Sequence, residues 1–306
     1  MKAPLAMDGT TLVLGGSGFL GSHVLRACAR AGMHVVAASR EPSVAPLDES
    51  VESAPFDALH QGALDELFAR ARPRCVIVCT ALSRIADCEA YPRLASTLNV
   101  DLPRRAAELA CAAGARLVHV STDLVFGAKP PPAGGFRESD PAAPVSVYGR
   151  TKADGEEALL TAHASALVVR LPLLFGPSGG RGLGASDGIL AALARGERPV
   201  LFEDEWRTPL SVVHAAQAVT ELARRDDVAG RLHVAGRERV NRHELGCAVL
   251  HALGRRDADT VLARGKRGSG ALAATRPADV SLDATRARAL LSFSIPTIED
   301  ALRESS

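Results

Sequence analysis

Short β-branched, apolar runs alternate in the first half of the chain with Ala-rich stretches whose apolar positions recur at helical spacing. The strand candidates are Thr11 to Leu14, His34 to Ala38, Cys75 to Thr80, Arg116 to Ser121 and Ala166 to Leu171. Between them, stretches such as Gly18 to Ala31 and Val100 to Ala113 are long enough to be crossover helices. Strands joined by crossover helices run in the same direction, so the pattern predicts an α/β fold: a doubly wound parallel sheet of the Rossmann type, with helices on both faces. Beyond about Pro172 the alternation becomes irregular. A Gly-rich stretch runs from Pro177 to Gly188, and a second, Arg264 to Gly270, reads as flexible and basic. The expected division is a Rossmann domain over 1–174 and a smaller, discontinuous region over 175–306. Within the latter about 210–235, through Leu210 to Thr220 and Arg231 to Ala235, returns to the main sheet.

Composition narrows the range of partners. The 306 residues are 47% hydrophobic, enough for a large buried core. Lys and Arg number 36 against 35 for Asp and Glu, and a net charge of +1 exerts no long-range pull on nucleic acid or an acidic membrane. A small molecule is the expected partner, with a homodimer as a further possibility. The cysteines (Cys28, Cys75, Cys79, Cys88, Cys111, Cys247) lie in apolar segments without CxxC spacing, and no secretion signal opens the chain. Buried thiols in a reducing cytoplasm are expected. Arg and Gly interrupt every candidate membrane span, and the dispersed histidines give no metal site.

The segment Thr11-Leu-Val-Leu-Gly-Gly-Ser-Gly-Phe-Leu-Gly21 places a strand, a glycine turn and a helix start in succession. Gly16, Gly18 and Gly21 satisfy GxGxxG, and Gly15, Gly18 and Gly21 satisfy GxxGxxG. Without Cβ atoms such a turn approaches a pyrophosphate closely, and the phosphates rest on free N–H groups at the positive end of a helix dipole. The expected contacts are Gly15, Ser17, Gly18, Phe19, Leu20 and Gly21. An acidic residue about 20 positions on would bind a ribose 2′-hydroxyl, but the chain offers Ser39-Arg40. A guanidinium there pairs with a 2′-phosphate, which favours NADP(H) over NAD(H). Asp57, after a further candidate strand, could accept from the adenine amine or simply close a turn.

Tyr148-Gly-Arg-Thr-Lys152 is a YxxxK pattern, which on a helix puts both side chains on one face. With two tyrosines and four lysines in the chain, roughly 0.03 such pairs arise by chance, so the match is informative. A phenol is a weak base at neutral pH, but a nearby ammonium favours the phenolate. Upstream, Val118 to Phe126 reads as a buried strand ending in Ser121-Thr122-Asp123, at the edge where open α/β sheets hold ligands. Thr122 could hydrogen-bond a substrate carbonyl there.

With these features the chain resembles the extended short-chain dehydrogenases, and among them the dTDP-4-dehydrorhamnose reductase group. The resemblance rests on the glycine turn, Pro73 to Ala81, Asp87-Cys-Glu89, Asn99, Ser121 to Phe126, Glu138-Ser-Asp-Pro141 and Arg276-Pro-Ala-Asp-Val-Ser-Leu-Asp283. It implies a triad of Thr122, Tyr148 and Lys152, with Asn99 supporting a proton-relay water and Thr80 and Ala81 beside the cofactor. Asp123, Trp206, Arg207 and Arg276 would contact the substrate. It further implies NADPH-dependent reduction of the 4-keto group of a nucleotide-linked deoxysugar. Leu124 departs from the group's usual Tyr, and Asp204 to Pro209 matches its substrate loop only loosely. Two alternatives stay open. One is a sugar-nucleotide epimerase or dehydratase that retains NAD. The other is a non-catalytic NADP-binding protein similar to the regulatory subunit of methionine adenosyltransferase.

Overall fold

The computed structural model describes residues 9–41, 49–268 and 273–304. Seven strands form one sheet: β1 Thr11–Leu14, β2 Val35–Ser39, β3 Val51–Pro55, β4 Cys75–Val78, β5 Arg116–Thr122, β6 Leu167–Leu171 and β7 Gly230–His233. Their order is β7-β6-β5-β4-β1-β2-β3, and the pairings from β3 through β5 are all parallel. The doubly wound Rossmann architecture is thus present. All of β1, β2 and β4 is buried, the burial expected of parallel strands covered on both faces. Chain direction across the sheet reverses between β1 and β4, which places the topological switch point at their carboxyl ends.

Helices α1 Phe19–Arg30, α2 Ala63–Ala71, α3 Leu102–Ala112 and α4 Val147–Ala162 accompany this sheet. Leu64, Leu67 and Phe68 of α2 and Leu102, Ala106, Ala107 and Ala110 of α3 pack on Leu12, Leu14, Val76 and Val78. Small alanines at helical spacing let α3 lie close to the strands. A π-turn, Thr97–Asp101, leads into α3. Its cause is local: Pro103 has no N–H to offer the Asn99 carbonyl four residues earlier. That carbonyl instead meets α4, where a Cβ on Gly155 would lie 2.0 Å from it.

The chain divides into two compact units. The first is 1–122, 147–170 and 216–232, and the second is 123–146, 171–215 and 233–306. The sequence-based boundary at 174 differs, because the chain leaves the first unit directly after β5 and re-enters it at α4. In the second unit, α5 Gly184–Ala194 and α6 Arg242–Ala252 enclose a small core of Phe175, Ala185, Leu245 and Val249. An Asn241–Glu244 capping box starts α6.

Several expectations need correction. The chain does rejoin the first unit over 216–232, and β7 covers the start of Arg231 to Ala235, but Leu210 to Thr220 adds no strand to the main sheet: Leu210–Ser211 pairs with Leu174–Phe175 in a two-stranded sheet, and Val212–Ala223 is a helix. Its Ala-rich period outweighs the leading β-branched residues. Pro177 to Gly188 is not wholly irregular, since α5 begins at Gly184. Within Arg264 to Gly270, the first residues pair as part of Ala263–Gly265 with Val200–Phe202, and 269–270 lie outside the described residues. The cysteines are all unpaired, but only Cys28, Cys75 and Cys88 are buried; Cys79 and Cys247 are half-buried and Cys111 is exposed.

Candidate active site

A cavity of about 380 Å³ opens at the carboxyl ends of β1, β2 and β4, and all its lining residues belong to the first unit. Gly15, Ser17 and Gly18 form one wall, Ser39, Arg40 and Asp57 another, and Thr80 and Ala81 a third. Eight of the residues expected at a cofactor therefore share one cavity. Phe19, Leu20 and Gly21 do not line it. Phe19 and Leu20 open α1, and Gly21 has a packing role: a Cβ there would lie 2.0 Å from the Gly15 carbonyl. Gly15 itself has φ +86, and a Cβ on it would meet the Thr80 amide at 2.8 Å. Gly16 is packed against Leu25 and Ala37 and does not line the cavity.

At the second wall, Ser39 Oγ donates to the Glu41 carbonyl at 2.5 Å. Arg40 is exposed and makes no hydrogen bond or ion pair among the described residues. Glu41 lines the same cavity, a carboxylate that the sequence reading of this wall left out. Asp57 Oδ1 accepts from the Leu59 amide at 3.0 Å, closing a turn at the cavity edge. Cys79 also stands on the wall, and burial pushes its thiol up to about 12, which excludes thiolate chemistry near neutral pH.

Thr122 ends β5, and Tyr148 and Lys152 lie one turn apart on α4. Neither Tyr148 nor Lys152 is on the cavity wall as it stands. Lys152 is 1% exposed, and its Nζ donates to the Val120 carbonyl at 2.7 Å and lies 2.9 Å from His119 Nε2. Its third N–H has no protein partner among the described residues. Burial lowers the Lys152 pKa to about 8, against the upward pull of Glu156 and Cys79. The start of α4 is held by Glu89, whose Oε1 accepts from the Val147 amide at 2.8 Å.

Asn99 is fully buried and its amide is spent on the protein. Oδ1 accepts from the Leu82 amide at 2.9 Å, and Nδ2 donates to the Leu82 carbonyl and to Thr151 Oγ1, each at 3.0 Å. The side chain ties the segment after β4 to α4, so it has no N–H left for a water. Below it lies a network absent from the sequence reading. Glu156, 0% exposed, accepts from Ser121 Oγ at 2.5 Å, from Arg170 at 2.6 to 3.1 Å and from Arg231 Nε at 3.0 Å. It joins α4 to β5, β6 and β7. Its carboxyl is held below the usual range: burial raises it, and the two arginines and Ser121 more than offset that.

The expected substrate residues belong to the second unit. Asp123 and Arg207 are buried and paired at 3.5 Å, and Arg207 also lies 3.3 Å from Glu205. Glu205 further faces Arg242 at 4.0 Å and Arg276 at 3.7 Å. Three guanidinium groups against two carboxylates leave this cluster with excess positive charge. Desolvation lowers the Arg242 pKa, with Arg207 and Arg276 adding repulsion against the pull of Glu205. Sequence reading missed Glu205 and Arg242, since only folding brings them beside Arg207. Trp206 is fixed by its amide to the Ala278 carbonyl at 2.7 Å and lies under the Arg239 guanidinium at 4.0 Å. The segment from Arg276 to Asp283 is therefore an internal strap. It bonds Trp206 on one side and, through Ser281 and Asp283, Phe136 on the other.

A family model described as the RmlD substrate binding domain matches residues 9–306. The chain belongs to this family. A methionine adenosyltransferase 2 subunit beta from Pongo abelii is 30% identical, covering 91% of this chain and 81% of its own. A probable dTDP-4,6-dihydroxy-2-methyloxan-3-one 4-ketoreductase from Streptomyces antibioticus is 31% identical over 81% and 77% of the two chains. In fold, this family member is similar to a dTDP-4-dehydrorhamnose reductase from Bacillus anthracis solved with NADP. That likeness has a TM-score of 0.80 at 20% identity, covering 98% of each chain. Among the described residues no helix of this family member is long and apolar enough to cross a membrane, and no group of metal-ligating side chains gathers.

Proposed function

We propose that the protein is an NADPH-dependent reductase of the 4-keto group of a nucleotide-activated deoxysugar. The observation that carries this reading is Lys152: a buried cation with one uncommitted N–H, one helical turn from Tyr148, on the helix that follows β5. The glycine cradle fits a dinucleotide, because side chains at Gly15 or Gly21 would fill the space that the turn keeps open. Bound there, a reduced nicotinamide supplies the hydride. Tyr148 gives the proton that the developing alkoxide needs, and the Thr122 hydroxyl holds the carbonyl oxygen. The Lys152 ammonium makes the phenolate left on Tyr148 less costly. Asp123, Trp206, Arg207 and Arg276 are the substrate contacts within the second unit, where the surplus of guanidinium suits phosphate.

Arg40 supports NADP(H), its guanidinium being uncommitted among the described residues, while Glu41 beside it leaves NAD(H) a weaker second cofactor. The ketoreductase relative and the NADP-bound structural neighbour agree with this reading. Oxidation of NADPH by the isolated protein with a panel of dTDP-4-keto sugars tests it. Binding of NADPH without oxidation by any of them would remove it.

A second reading draws on the likeness to methionine adenosyltransferase 2 subunit beta: a non-catalytic NADP-binding protein that supports a partner. The presence of Thr122, Tyr148 and Lys152 together favours catalysis, and the same assay separates the two. A dehydratase fits less well, because Leu124 follows Asp123 where an acidic residue would be expected.

A further inference from the structure

His119 is a buried group that the chemistry above leaves unused. It lies in the middle of β5 with no exposure, its Nε2 2.9 Å from Lys152 Nζ. Its Nδ1 is buried and has no hydrogen-bond partner among the described residues. A buried polar atom without a partner is costly, so the contact at Nε2 must return something for it to be kept. Burial first, and the Lys152 charge second, hold the ring's pKa well below 6.5, so the ring is neutral and carries one proton.

The position of that proton is tied to the charge on Lys152. While Lys152 is an ammonium, Nε2 has to accept from it, and the ring proton sits on Nδ1 as an unmatched donor. Once Lys152 has lost a proton, its amine can accept from Nε2–H, and Nδ1 becomes a bare acceptor, the cheaper kind of orphan. The pair thus has two consistent arrangements that differ by one proton.

We propose that His119 is a positioning residue for Lys152: with the Val120 carbonyl it holds two of the three ammonium N–H groups against β5, leaving the third for a ligand, and its tautomer follows the charge on Nζ. The other groups that act on Lys152 are the Cys79 thiol just after β4 and, on α4 itself, Glu156, with Tyr148 one turn before it. Glu156 is compensated by Arg170 and Arg231, which leaves His119 as the neutral hydrogen-bonding side chain at Nζ. The catalytic meaning of the proposal rests on the reductase reading, while its geometry does not.

The test is a pH titration by NMR of the whole protein labelled at lysine Cε, where Lys2, Lys129, Lys152 and Lys266 give the only signals. The Lys152 signal is assigned by its loss in Lys152→Met. It should titrate near 8 in the native protein. In His119→Phe, which removes the acceptor from the ammonium, it should titrate lower by about one unit, and in His119→Asn, which restores an acceptor, it should move back up. An unmoved titration in folded His119→Phe overturns the proposal. Should that variant not fold, imidazole ¹⁵N spectra of the native protein decide: Nδ1–H is expected below the Lys152 titration and Nε2–H above it, and Nε2–H throughout overturns it. In the activity arm, the alkaline fall of kcat moves with the Lys152 signal. A native protein that turns over no keto-sugar defeats the reductase reading, while the NMR still decides the role of His119.

Discussion

Arg40 and Tyr148 carry the most direct tests at the scale of single residues. Arg40→Asp replaces the uncommitted guanidinium on the cavity wall with a carboxylate beside Glu41. The affinity ratio of NADPH to NADH should fall by about tenfold to a hundredfold, measured by fluorescence titration, since a charge-assisted contact contributes about 1.5–3 kcal/mol. Equal affinities in the native protein would refute this reading of Arg40. Tyr148→Phe should lower kcat by about 10²- to 10⁴-fold while leaving NADPH binding nearly unchanged. Activity retained in that variant excludes Tyr148 as the proton donor. The sequence made these residues readable because their chemistry depends on short spacings: glycines three apart in one turn, and a tyrosine and a lysine one helical turn apart. His119, Glu156 and Glu205 were not readable in the same way. Their partners lie on other elements, His119 reaching Lys152 across 33 residues and Glu156 reaching Arg231 across 75.

Among the elements, α4 depends on two supports far from its own sequence pattern. Glu89 accepts from its first amide, and Gly155 lets it close on the Asn99 carbonyl, to which Pro103 four residues on offers no N–H. Glu89→Ala should cost about 1 kcal/mol in urea denaturation, the loss expected from removing a cap. Gly155→Ala should cost more and lower kcat as well, because the added methyl cannot fit 2.0 Å from an oxygen without moving the helix that bears Tyr148. Full stability in Gly155→Ala would contradict the packing described for this contact. The elements that sequence patterning placed best were the fully buried strands. The polar edge strand β3, Val-Glu-Ser-Ala-Pro, gave no apolar run because only Val51 and Ala54 are buried. Leu210 to Thr220 was expected in the main sheet, but only Leu210–Ser211 is strand, in a separate two-stranded sheet, and Val212–Ala223 folds as a helix on its Ala-rich period.

In the molecule as a whole, charge is buried where α4 meets the sheet, and folding stability should register it. Glu156→Gln leaves Arg170 and Arg231 facing a neutral amide, a loss of about 3–5 kcal/mol on the scale of broken buried pairs, read by denaturation. Lys152 behaves in the opposite sense. Folding lowers its pKa from 10.5 to about 8, so the unfolded chain binds more protons between those values. Its contribution to stability is complete above about pH 10.5 and is lost as pH falls through about 8. The native protein should therefore gain on Lys152→Met as pH rises through that window, and parallel stability curves for the two would count against so deep a burial. Cys28, Cys75 and Cys88 are buried, and burial raises their thiols to about 11, 12 and 11, as it raises Cys79 to about 12. Cys111, at the end of α3, stands outside in water. A maleimide dye should therefore attach there first, giving a fluorescent reporter whose placement needs no engineered residue and leaves the dinucleotide cradle untouched.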